Sequence, residues 1–236
     1  FSQRLDIPQY LMPPSIDPLS DKNRPLDPAE IRAVLDRFGL DPARPIVLQV
    51  SRFDRFKDPL GVIRAFRRVR KGIDCQLVLA GGTADDDPEG AQVFESVQAE
   101  AGSDPDIRVL SLPPRSDLEI NALQRAAEVV VQKSTREGFG LTVSEALWKG
   151  RPVVAGAVGG IPHQVIDGFN GFLVRSVEGA AFRIRHLLHN PEEARQMGRN
   201  GMDHVRRHFL ITRNLRNYLL IMIALRQRDD PVIYLD

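Results

Sequence analysis

From Asp27 onward, short β-branched apolar runs alternate with amphipathic stretches of roughly 10 to 17 residues, the sequence form of repeated strand–helix–strand units. The strand candidates are 46–50, 76–80, 107–110, 129–132, 153–155 and 172–174. Most are apolar throughout, as strands covered by helices on both faces must be. Between them the spacing predicts helices over 28–38, 60–70, 89–101, 117–127, 142–148 and 178–189, the first with Pro28 in its opening turn and Gly39 as its stop. Six strands with intervening helices predict an α/β fold, a Rossmann-like doubly wound parallel sheet. Such sheets bind ligands at the carboxyl ends of their strands, so chemistry is expected in the loops after Val50, Ala80, Leu110 and Gln132.

The alternation stops at His189, and 191–208 and 211–226 read as two consecutive helices, a C-terminal helical extension. Ile211, Leu215, Tyr218, Leu219, Met222 and Leu225 form an apolar stripe that a lone sheet domain does not cover, which predicts a homodimer through the last helix or packing on another domain. At the other end, Pro8, Pro13, Pro14, Pro18 and Pro25 interrupt any period, so 1–26 reads as a linker ahead of a sheet domain at 27–190 and helices at 191–236. The chain opens at Phe1 without a basic segment and apolar core behind it, so we expect a piece of a longer protein and no signal peptide. The acidic run at 85–87 reads as a solvated loop.

Composition narrows the function classes. With 42% hydrophobic and 27% charged residues in 236, the balance is that of an ordinary globular chain. Thirty-two Lys and Arg against 31 Asp and Glu leave +1, so no whole-chain field steers the protein toward nucleic acid, and any anion site must be local. The longest apolar run, 218–225, is far short of the roughly 18 to 20 residues a bilayer span needs, so no membrane is expected. Cys75 is alone, which excludes an internal disulfide framework and a thiolate zinc site and suits a reducing cytoplasm.

The segment richest in chemistry is Ser134-Thr135-Arg136-Glu137-Gly138-Phe139-Gly140-Leu141-Thr142-Val143-Ser144-Glu145, which leaves a strand and enters a helix. A glycine-rich loop opening a helix presents free backbone N–H groups and the positive end of the helix dipole, which suits a phosphate. The third glycine of the dinucleotide fingerprint and the Walker lysine are both missing. Two acids eight apart, Glu137 and Glu145, flank those amides; beside a phosphate they are costly unless they accept hydroxyls of a sugar or ribose. Two plainer readings stay open: Thr142-x-x-Glu145 is also a capping box, and Glu137 is also an ordinary loop acid. After the first strand, Arg52 and Lys57 are placed to neutralise a diphosphate, or are plain surface cations. Gly81-Gly82 and Gly159-Gly160 mark close backbone approaches or simple turns.

Three other function classes fit the sequence less well. Nine Arg against four acids between 175 and 216 make the last third basic, but scattered around helices and without stacking aromatics, so no nucleic acid is expected. His186/His189 and His204/His208 have helical spacing without the Glu of a zinc-protease helix, so no metal site is expected. A glycoside hydrolase also uses two carboxylates, yet needs neither Arg52, Lys57 nor a phosphate-type helix start.

Together, Ser51-Arg52…Lys57, Ser134-x-x-Glu137-Gly138-Phe139-Gly140 with the E-x7-E pair, Gly150-x-Pro152-Val153-Val154, Val158-Gly159-Gly160-Ile161 and Asp167-Gly168-x-x-Gly171-Phe172-Leu173-Val174 resemble the donor domain of the retaining glycosyltransferases of family 4. The resemblance runs from about Met12 to Leu225; Pro13-Pro14-Ser15-Ile16-Asp17-Pro18-Leu19-Ser20 and Glu145-Ala146-Leu147-Trp148-Lys149-Gly150 are similar to the trehalose-forming branch of that family. It implies the C-terminal half of a GT-B fold, with 1–26 an interdomain linker, 27–190 the nucleotide-sugar-binding domain, and 191–236 packing on an acceptor half that this chain lacks. It also implies a retaining hexosyltransferase with a donor such as ADP-glucose, UDP-glucose or GDP-glucose, glucose as acceptor, no metal requirement, and no turnover by this piece alone. Carried onto this sequence, the family's catalytic groups are Arg52, Lys57 and Glu137. Gly138, Phe139, Gly140, Leu141, Thr142 and Glu145 would hold the nucleotide sugar, with the base near Leu110. A nucleotide-sugar epimerase, a phosphorylase and a non-catalytic nucleotide-binding module share this architecture.

Overall fold

The computed structural model describes residues 10–82 and 88–226, so the acidic run at 85–87 lies outside the described residues, as do the first nine positions and those beyond 226. In chain order the elements are α1 (Pro28–Arg37), β1 (Ile46–Val50), a 3₁₀ turn (Arg55–Lys57), α2 (Pro59–Val69), β2 (Gln76–Gly81), α3 (Pro88–Ala101), β3 (Ile107–Ser111), α4 (Asp117–Ala126) and β4 (Val129–Gln132). There follow α5 (Leu141–Trp148), β5 (Val153–Gly156), α6 (Ile161–Gln164), β6 (Gly171–Val174), α7 (Val177–His189), α8 (Pro191–His208) and α9 (Ile211–Arg226). Each strand expected from the sequence is present, with ends within one residue. The 3₁₀ turn and α6, each about one turn long, are too short to show a period.

The six strands form one all-parallel sheet in the order β3-β2-β1-β4-β5-β6. Winding reverses between β1 and β4, and a crevice opens where the loops above those two strands diverge. Alternate residues of each strand enter opposite core layers. Val47, Leu77, Leu79, Val129, Val131 and Val154 pack with Ile63 and Phe66 of α2 and Ile184 of α7. Leu48, Val50, Val78, Val130 and Val153 pack on the other face with Leu35 of α1, Leu123 of α4 and Leu147 of α5. At roughly 1.5–3 kcal/mol for each large side chain withdrawn from water, these layers dominate the stability. α2 is started by Pro59 and by Asp58, whose carboxylate accepts from the Gly61 amide at 3.1 Å.

One feature differs from the sequence reading. Within the segment read as linker, Ile16 and Asn23 are buried, and Ile16 forms a parallel bridge with Leu210 through Ile16 N–H to the Phe209 carbonyl (2.8 Å) and Ile211 N–H to the Ile16 carbonyl (3.0 Å). Its prolines deprive it of a period but not of partners, because its anchoring runs through single side chains and carbonyls. As expected from the sequence, the apolar stripe of α9 is left uncovered: the helix buries no residue among those described, and Ile211, Leu215, Tyr218, Leu219, Met222, Ile223 and Leu225 are each about half exposed.

Candidate functional site

The loop after β1 is built by short-range polar contacts. Asp54 accepts from the Phe56 amide at 2.7 Å and starts the 3₁₀ turn, and Asp58 closes it in the left-handed region. Below it, buried Gln49 donates to the Lys57 carbonyl at 2.8 Å, fixing the backbone from which the lysine side chain leaves. The loop after β4 is tied to this one: the Thr135 amide donates to the Phe56 carbonyl at 2.8 Å, and Lys133 bonds Asp58. Across the junction Lys57 Nζ lies 2.6 Å from Glu137 Oε2, with side chains only 17% and 9% exposed. Ser134 Oγ (3.3 Å) and Gln132 Nε2 (3.5 Å) also approach that oxygen.

Lys57 and Glu137 line a cleft of about 350 Å³ with Pro14, Ser51, Arg52, Gln132, Phe139, Gly140, Leu141 and Thr142. α5 begins there at Leu141, preceded by Gly140 at φ +83°, so its first-turn amides and positive dipole end face the cleft. Gln132 Oε1 is buried with no hydrogen-bond partner, an acceptor awaiting a donor. A wider depression of about 540 Å³, around Arg70, Gly72 and Asp106, lies at the amino ends of β2 and β3. Position at the switch point, converging charge and an open helix start favour the smaller cleft.

Arg52, Lys57, Glu137, Phe139, Gly140, Leu141 and Thr142 are therefore brought together as expected from the sequence. Gly138 does not line the cleft: its amide donates to Glu137 Oε1 at 3.1 Å, and its carbonyl accepts from Gly160 N–H at 2.8 Å. Leu110 lies on β3, two strands away from β1, and packs against the core, so it is not part of the cleft. Arg52 is two-thirds exposed, its guanidinium 3.9 Å from Asp54. Glu145 also lies outside the cleft lining and is nearly fully buried; Lys22 Nζ holds its Oε1 at 3.0 Å, and its Oε2 has no partner. The capping-box alternative falls, because the helix starts at Leu141 with Gly140 as its cap, leaving Thr142 and Glu145 inside it. The histidine pairs have ordinary partners: His186 bonds Glu193 at 2.8 Å, and the His204 and His208 rings lie 4.8 Å apart.

Sequence reasoning passed over Gln49, Gln132 and Lys22. The glutamines were legible, each being the polar residue near the end of an otherwise apolar central strand. Lys22 carried no signal, since its partner is far along the chain.

Behind Glu145, buried Lys149 donates to Asn23 Oδ1 (2.9 Å) and to the Glu145 carbonyl (3.2 Å). Burial pulls its ammonium down from 10.5 to about 7, Arg125 and Lys22 adding to the fall and Glu145 opposing it. Below pH 7 both folded and unfolded chains carry this proton. Between about 7 and 10.5 the unfolded chain holds it and the folded one does not, so stability rises with pH across that window, by at most about 1.4 kcal/mol per pH unit. Thermal unfolding at pH 7 and pH 9 should show the native chain gaining more stability than Lys149→Met; equal gains would assign Lys149 an ordinary titration.

Residues 32–204 match the family described as Glycosyl transferases group 1, nearly three-quarters of the chain. The chain belongs to that family. A trehalose synthase from Pyrococcus horikoshii is 48% identical over 217 residues, covering 91% of this chain and 52% of the relative. The chain spans about half the length of the curated trehalose synthases it matches. Among solved structures of the fold, a sucrose-phosphate synthase from Thermosynechococcus elongatus superimposes with a TM-score of 0.75 at 29% identity, covering 91% of this chain and 53% of that one. An Anabaena HepE structure in complex with UDP-glucose gives 0.71 at 20% identity, covering 84% and 53%. The doubly wound sheet is thus the glycosyltransferase group 1 domain, and no described helix is long and apolar enough to cross a membrane.

Proposed function

We propose that this glycosyltransferase domain is the donor-binding half of a retaining hexosyltransferase that joins glucose from a nucleoside diphosphate glucose to free glucose, forming trehalose. The observation that carries the reading is the Lys57–Glu137 contact at the sheet's switch point, beside the open start of α5. A diphosphate entering the cleft meets Lys57, Arg52 and the first amides of α5, while Glu137 and the unpartnered Gln132 carbonyl accept hydroxyls of the transferred sugar. Glu145 Oε2 is the remaining buried acceptor on the same helix, suited to ribose hydroxyls. The trehalose synthases similar to this chain support the choice of product.

As the anomeric C–O bond breaks, its electron pair passes to the departing diphosphate. Preorganised cations and amides stabilise that growing charge more in the transition state than in the ground state, and no metal is needed for it. With retention by a front-face route, the acceptor oxygen bonds the anomeric carbon as its proton passes to a departing phosphate oxygen. The acceptor site belongs to a second domain, and the exposed face of α9 is the surface we assign to it; in the isolated chain the same face would pair two copies.

Calorimetric titration of the 236-residue chain with ADP, UDP and GDP, their glucose conjugates and the 2′-deoxy nucleotides, with and without chelator, tests the reading. The expected result is chelator-independent binding, weaker for the 2′-deoxy form by about 1–3 kcal/mol because a buried acceptor loses its donor. Absence of nucleotide binding would overturn it.

A further inference from the structure

We propose that Lys22 is the positioning residue for Glu145, so that the segment ahead of the sheet domain sets the recognition of the ribose; this rests on the ribose role given to Glu145 above. Glu145 is buried, and its carboxylate is divided: Oε1 is held by Lys22 Nζ at 3.0 Å, whereas Oε2 has no partner. One oxygen anchors the group; the other is buried with its hydrogen-bonding capacity unfilled, as an acceptor for a vicinal diol would be. The neighbouring ammonium of Lys149 does not serve the carboxylate, since it is engaged by Asn23 Oδ1 and the Glu145 main-chain carbonyl. Lys22 thus supplies the direct contact that fixes the rotation of the carboxylate.

The ammonium is delivered to this point by a pinned backbone. On both sides of Lys22 the main chain is clamped by α4, where fully buried Asn121 donates to the carbonyls of Asp21 (2.8 Å) and Arg24 (2.9 Å). Arg125 reaches the carbonyls of Asn23 (3.2 Å) and Arg24 (2.9 Å). The Asn23 amide group bonds the Asp17 carbonyl at 3.0 Å and Lys149 from its other end. Further up, Ile16 is bridged to Leu210, and Pro14 forms part of the cleft wall. The same strap therefore borders the diphosphate cleft and holds the ribose carboxylate, and this depth of anchoring exceeds what a spacer between domains requires.

The test is calorimetry on the 236-residue chain with ADP, UDP and GDP and with their 2′,3′-dideoxy analogues, for the native chain, Lys22→Met and Lys22→Arg. The native chain should favour the ribo form by about tenfold or more, the size of a lost hydrogen bond to a charged acceptor. In Lys22→Met that preference should fall to within about threefold, through weaker ribo binding at unchanged dideoxy affinity, and Lys22→Arg should restore most of it. A native preference retained in Lys22→Met, or equal weakening of both ligands, would overturn the proposal. No preference in the native chain would instead remove the ribose role from Glu145 itself, and the proposal with it.

Discussion

In a full-length transferase carrying this domain, Lys57→Ala is expected to lower kcat by about 10² to 10³, with a smaller change in KM. The ammonium is preorganised before any donor arrives. Its backbone is set by Gln49 and by the 3₁₀ turn that Asp54 and Asp58 terminate, and its head group is held 2.6 Å from Glu137. Such a group costs little reorganisation when negative charge grows on the departing diphosphate, so its removal is felt in the transition state more than in ground-state binding. Steady-state kinetics with donor and acceptor varied in turn separates the two effects. Lys57→Arg should recover only part of the rate, because a planar fork cannot repeat the point contact with Glu137. Unchanged turnover in Lys57→Ala would remove the lysine from the chemistry and leave the pair with Glu137 a structural one.

Gly159→Ala should be nearly as damaging, though Gly159 has no side chain to offer a ligand. The residue sits at φ +56°, and an added Cβ would lie 1.9 Å from the Glu137 carbonyl oxygen and within 3 Å of that of Gly138. Both are main-chain atoms, so relief requires the Glu137–Gly140 loop to retreat. We expect about 1–3 kcal/mol of lost stability from the clash and the unfavourable backbone conformation. Turnover in the full-length enzyme should fall by about 10², since a displacement near 1 Å at a positioning loop suffices for that loss. Thermal unfolding and kinetics on the same preparation distinguish the outcomes: native stability with native turnover would show the loop to be compliant, and Gly159-Gly160 to be a simple turn.

Much of the site was legible because it obeys local rules. The apolar runs predicted the strands, the strands predicted the crevice, and the residues between Glu137 and Thr142 predicted a helix start facing it. Arg52 and Lys57 were placed by their position immediately after β1. Glu145 was half legible: its spacing from Glu137 marked it, but it was compatible with a cap, and only the start of α5 at Leu141 removed that alternative. The placement of Leu110 depended on which strands flank the switch point; with β3 beyond β2, it stands half-buried beside the core and does not line the cleft. The strap around Lys22 was missed for a related reason. Proline-rich stretches lack periodicity, and contacts such as Asn121 to the Asp21 and Arg24 carbonyls join positions about a hundred residues apart.

By itself the sequence determined the α/β class, the number and location of the strands, and the loops able to hold charge, because period, β-branching, glycine and proline act over a few neighbours. Tertiary structure alone decided which of those loops meet: the pairing of Lys57 with Glu137, the seat of Lys22 on Glu145 and the depressed ammonium of Lys149. Those depend on strand order and burial, which arise from contacts among distant segments and leave no local pattern to read.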